Sequence, residues 1–169
     1  NNQILVPGDV VQLDGTTFNM TLDETISGFS GTKENPIWIL GNGSIYDGKK
    51  LEIINCEWVY FQDIRSQDTT DEGMLIQECQ DCIFKDFTID NTGKGGCRVD
   101  GSATNKNSRL SFFGWNITNW GSGDGFSLHV DSSENTNGDW FVIKDLFCQN
   151  PVDQGENGLD ITTGDNVFV

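Results

Sequence analysis

The stretch Val59-Tyr60-Phe61-Gln62-Asp63-Ile64-Arg65-Ser66-Gln67-Asp68 decides how this chain is read. Apolar Val59 and Phe61 alternate with polar neighbours, the alternation slips by one residue at Asp63, and it resumes at Ile64. That is the pattern of a strand, a sharp turn and a second strand, and helical spacing does not fit it. Three later segments repeat it. Aligned on Asp63, Asp86, Gly114 and Asp145, at steps of 23, 28 and 31 residues, the columns hold Val59, Cys82, Leu110 and Phe141, then Phe61, Phe84, Phe112 and Ile143. Beyond the turn they hold Ile64, Phe87, Trp115 and Leu146, then Ser66, Ile89, Ile117 and Cys148, and finally Asp68, Asn91, Asn119 and Asn150.

A unit of this length cannot bury its apolar face alone, so its recurrence marks a solenoid, and period-two strands with Asp, Gly and Asn corners select a parallel β-helix. Asn tolerates the left-handed conformation a corner needs, and at a strand spacing of about 4.8 Å its amides can bond from coil to coil. The expected architecture is all-β: a single right-handed parallel β-helix over residues 1–169, of about six coils, with no cap at its C-terminal end. A further corner is expected at Glu72-Gly73-Met74, Gly95-Gly96-Cys97, Asp124-Gly125-Phe126 and Asn157-Gly158-Leu159, with the second glycine position supplying a positive φ. Polar excursions at 100–109 and 130–139 share one corner and are expected to wall a groove.

The formal net charge is −16, with ten Lys and Arg against 26 Asp and Glu, which argues against a nucleic-acid partner because phosphate binding needs a basic face. No apolar run reaches the length of a membrane span. Among five cysteines, Cys56 and Cys79 occupy equivalent places in successive coils, within disulfide reach; Cys82, Cys97 and Cys148 fall in inward columns and are expected as buried thiols. Asn19-Met-Thr, Asn42-Gly-Ser and Asn116-Ile-Thr are N-glycosylation triplets, which agree with an extracellular glycoprotein.

The opening coils carry a resemblance. Pro7-Gly8-Asp9, then Gly31-Thr32-Lys33-Glu34-Asn35-Pro36-Ile37, then Asp47-Gly48 follow one another as in right-handed β-helix proteins of the pectate lyase-like superfamily. Asp124-Gly125-Phe126 with Glu156-Asn157-Gly158-Leu159-Asp160 resembles the acidic cluster of family-nine pectate lyases, which binds calcium. The resemblance implies Asp124, Glu156, Asn157 and Asp160 as metal ligands, a polysaccharide partner and β-elimination as the reaction. It places the catalytic lysine beyond the last coil of this chain, so the segment alone is expected to be inactive.

Strand alternation gives a second set, independent of that likeness: Arg98, Ser127 and Asp160 in one outward column, with Asp100, His129 and Thr162 in the next. Of these, Arg98, Asp100, Ser127 and His129 are the candidates for glycan contact, with His129 and Arg98 the candidates for catalysis. An outward apolar column of Trp38, Tyr60, Ile83 and Val142 calls for a cover. The alternative function is a non-catalytic structural or adhesive module, self-associating end to end as the repeating subunit of a glycosylated fibre.

Overall fold

The computed structural model describes residues 4–101, 106–129, 138–150, 157–162 and 164–169. The chain enters through β1 (Val10–Gln12), β2 (Thr17–Asn19) and β3 (Glu24–Ser27). The following coils are β4 (Ile37–Asp47) with β5 (Leu51–Ile54), and β6 (Val59–Thr69) with β7 (Met74–Gln77). Next come β8 (Ile83–Lys85), β9 (Thr88–Thr92) and β10 (Cys97–Asp100), then β11 (Leu110–Trp120) with β12 (Phe126–His129). The last are β13 (Asp139–Gln149), β14 (Leu159–Ile161) and β15 (Asp165–Phe168).

Every pairing is parallel, and the strands stack into a nine-stranded and a six-stranded sheet, with isolated bridges Ser30 to Glu57 to Gln80 to Ser108 forming a third, narrow ladder. This is a parallel β-helix, as the repeat predicts. The long strands β6, β11 and β13 are continuous through the corner, which in the coil between β6 and β11 separates β8 from β9, and one residue turns left-handed at each: φ is 56° at Asp63, 57° at Asp86, 66° at Gly114 and 57° at Asp145. Asp and Asn tolerate that conformation where β-branched residues do not. The next corner has φ of 53°, 52° and 56° at Asp68, Asn91 and Asn119. Asn91 donates an amide hydrogen bond to Asp68 on the coil before it, and Asn119 donates to Asp90 at 2.7 Å.

The predicted inward columns are the core. Phe61, Phe84 and Phe112 stack face to face with centroids 5.3 Å apart at each step, and Phe87 lies 4.6 Å from Trp115. All five rings are at most 1% exposed. Rings repeated at the rung spacing fall into register because successive strands superpose, and each buried side chain contributes roughly 1.5–3 kcal/mol.

Two expectations are corrected. None of Gly73, Gly96, Gly125 and Gly158 has a positive φ. They are glycines because coils touch there: a Cβ on Gly96 would lie 2.4 Å from the Gly125 carbonyl, and one on Gly125 would lie 2.7 Å from the Gly158 carbonyl. The bridge expected between Cys56 and Cys79 is not formed, and both are free, buried thiols. In-register parallel strands send their Cβ atoms out side by side rather than toward each other. The sulfurs turn to backbone carbonyls instead, Cys56 Sγ to Ile54 O at 3.6 Å and Cys79 Sγ to Gln77 O at 3.4 Å. Burial holds the thiols of Cys97 and Cys148 above the usual range, the latter at about 11.

Candidate functional site

A groove of about 270 Å³ runs beside the outer face of the six-stranded sheet, lined by Glu72, Lys94, Arg98, Asp124, Ser127 and His129 among others. Register builds it. Met74 pairs with Cys97, Cys97 with Phe126 and Phe126 with Leu159, so the residues two places upstream, Glu72, Gly95, Asp124 and Asn157, form a column at one corner. Within the sheet Arg98 stands beside Ser127, and Asp100 beside His129. Among the described residues the wall comes from the turns around 93–95 and 122–124. The excursions expected to supply it fall largely outside the described residues, at 102–105 and 130–137. A larger hollow of about 830 Å³ at the first coil is walled by Leu13, Phe18, Met20 and Tyr46, inner side chains at the end face of the stack, and it holds one acid, Glu24, and no cation.

Charges in the groove are coupled. Lys94 Nζ lies 2.8 Å from Asp71 Oδ1, and that hydrogen bond holds the Asp71 carboxyl down at about 2 while raising the Lys94 ammonium. Glu72 moves the other way: burial, and then the hydrogen-bonded Asp71 carboxyl, push it above the ordinary glutamate value. Arg98 reaches 3.7 Å from Glu72 Oε1 with Nη1 and 2.6 Å from Asp100 Oδ2 with Nη2. Asp100 is 2% exposed, so it does not face solvent as its column predicts. Arg98 covers it, and Asp100 fixes the guanidinium from below.

The structure thus joins four sequence-derived candidates, Arg98, Asp124, Ser127 and His129, in one groove, with Asp100 beneath. Asp160 pairs with Ser127 on the next rung and does not line the groove. Asn157 donates both its backbone N–H and its Nδ2 to Asp124 Oδ1, each at 3.0 Å, so its amide meets that carboxylate as a donor. Glu156 lies outside the described residues. Among the described residues no three of His, Cys, Asp and Glu gather as a metal cluster. Calcium takes six to eight oxygens, and of the four expected ligands Asp124 already accepts two hydrogen bonds from Asn157 at one carboxylate oxygen. Asn19, Asn42 and Asn116 are all exposed.

Sequence reasoning missed Glu72 and Lys94. Glu72 stands in the corner phrase Glu72-Gly73-Met74, whose repetition was a legible signal; Lys94 has none, since only the fold of the turn brings it over Asp71.

No protein-family model matches the chain, and no curated protein matches it. Among solved structures it is similar to a mannuronic acid specific polysaccharide family 6 lyase from human gut microbiota, at 12% identity and a TM-score of 0.36. The match covers 83% of this chain and 53% of that one.

Proposed function

We propose that this chain is a carbohydrate-active β-helix of the polysaccharide lyase kind, which holds an acidic glycan along the groove between Glu72 and His129. One observation carries this reading: two cations, Lys94 and Arg98, share a groove with an imidazole and two carboxyl groups. Elimination from a uronate removes the proton α to its carboxylate, so the carboxylate charge must be offset and a base must stand near. Arg98 offers a planar fork suited to a carboxylate, and Lys94 a point charge. Lys94 is 56% exposed in its pair with Asp71, so an incoming carboxylate can compete for its ammonium. His129 is the groove's proton acceptor, taking the place of the lysine that the resemblance puts beyond the last coil, so turnover by this segment itself is part of the proposal. Arg98 is excluded as base because a guanidinium keeps its proton. No step is routed through calcium. Secretion and glycosylation at Asn19, Asn42 and Asn116 belong to the same proposal.

The test is incubation with polygalacturonate and with polymannuronate, following absorbance of the unsaturated uronate and, in parallel, retardation in gels containing each polymer. Retardation with growing absorbance is the expected result. Retardation alone makes the chain a glycan-binding module, and neither signal overturns the proposal.

A further inference from the structure

Glu72 has no part in the steps above, yet it lines the groove. We propose that Glu72 is the general acid of this site, donating its carboxyl proton to the glycosidic oxygen that leaves from the uronate. This rests on the reading that the groove holds an acidic glycan.

Position comes first. Glu72 stands in the corner column Glu72, Gly95, Asp124, Asn157, two rungs from Asp124, which is roughly 10 Å at strand spacing. The place between them carries no side chain: a Cβ on Gly95 would lie 2.8 Å from the Asp124 carbonyl oxygen. Glu72 and Asp124 line the same groove, with the Asp124 backbone pressed against Gly95 between them. Arg98 reaches into the same space from the neighbouring strand and brings Nη1 to 3.7 Å from Glu72 Oε1, so a uronate whose carboxylate takes Arg98 is held within reach of Glu72.

A structural role for Glu72, as the anchor of Arg98, is the alternative. Arg98 has its firm contact elsewhere, 2.6 Å from Asp100, and the contact with Glu72 is 1.1 Å longer, 3.7 against 2.6. The surroundings favour the protonated form of Glu72. Its side chain is 16% exposed, and Asp71 lies against it, hydrogen-bonded to it. The cation of that turn, Lys94, is bound to Asp71, with Lys50 also acting on Asp71 from the preceding coil. Arg98 acts in the opposite sense on Glu72 but ranks behind burial and Asp71. Asp124 completes the charged groups of the groove on that side. A carboxyl in such a place keeps its proton to higher pH than an exposed one and can give it to an alkoxide-like leaving group.

The step balances. His129 takes the C5 proton, the electron pair of that bond forms the C4–C5 double bond, and the C4–O4 bond breaks toward oxygen. The Glu72 carboxyl proton goes to O4, which leaves as a hydroxyl on the shortened chain. Glu72 remains as carboxylate and is reprotonated from water.

The experiment uses the full chain with Glu72→Gln and Glu72→Asp, polygalacturonate and polymannuronate as probes, and melting curves to show that both variants fold. Retardation of Glu72→Gln by the polymer is expected to stay within about twofold of wild type, while kcat falls by about 10²–10⁴-fold, the usual worth of a positioned acid. The high-pH limb of the wild-type pH–rate profile should vanish in Glu72→Gln, and Glu72→Asp should recover part of the rate. An unchanged kcat or an unchanged high-pH limb in Glu72→Gln overturns the assignment. Wild-type binding without turnover overturns it too, and absence of wild-type binding removes the groove reading on which it stands.

Discussion

Arg98 holds the buried carboxylate of Asp100 at 2.6 Å, and Asp100 Oδ1, buried as well, has no hydrogen-bond partner among the described residues. The guanidinium is therefore the chief compensation for a charge that is 2% exposed. Removing one partner of a buried pair costs more than the pair contributes, because the other charge stays behind without water. Arg98→Met is expected to lower stability by about 3 kcal/mol in urea unfolding, and Asp100→Asn by clearly less. Equal losses would show that the pair acts only by its attraction.

Asn107 is fully buried and ties three backbone groups: its Oδ1 accepts the Cys79 N–H at 2.7 Å, and its Nδ2 donates to Asp100 O at 2.8 Å and Ile76 O at 3.3 Å. It follows Cys56 and Cys79 in the corner column, and its amide reaches Ile76 O as the Cys79 thiol reaches Ile53 O one coil earlier. Asn107→Ala should cost about 2–3 kcal/mol, the desolvation of one orphaned N–H and the loss of two bonds. Urea unfolding measures it, and amide hydrogen exchange at Cys79 should quicken in step.

Acid titration of stability should separate Asp71 from Glu72. Asp71 has a folded value lowered to about 2, so its contribution is complete above the ordinary aspartate value and is lost as pH falls from about 4 toward 2. Glu72 has a raised folded value, so its contribution is present below the ordinary glutamate value and is lost as pH rises through the raised one. Melting temperatures are expected to fall less below pH 4 in Asp71→Asn than in wild type. Glu72→Gln should be more stable at pH 7, relative to pH 4, than wild type is.

The thiols give a native-state count. Cys56, Cys79, Cys82 and Cys97 are at most 1% exposed, and Cys148, half-buried, has a thiol pushed up to about 11. Thiolates react and thiols do not, so a chromogenic disulfide reagent at pH 8 should modify none of the five rapidly in the folded chain and all five in denaturant. Rapid native modification of Cys56 or Cys79 would mean that the corner ladder opens.

The sequence by itself determined the coil. Columns such as Phe61, Phe84 and Phe112 repeat because each rung must bury the same face, and Asp63, Asp86 and Asp145 repeat because few side chains accept a left-handed corner; both constraints are local and leave a period. It also determined the outward neighbours Arg98 with Ser127 and Asp100 with His129, since alternation and register are legible once the columns are aligned. Tertiary structure decided what those side chains do. Asp100 sinks beneath Arg98, Asn157 turns its N–H groups to Asp124, and Lys94 binds Asp71, leaving Glu72 between the Asp71 carboxyl and the more distant Arg98 guanidinium. These outcomes depend on the approach of atoms from different coils, down to the glycine contacts at Gly96 and Gly125, where 2.4 and 2.7 Å separate a would-be Cβ from the neighbouring backbone. A periodic pattern records which way a side chain leaves its strand; which partner it reaches is set by distances between coils, and no single coil encodes them.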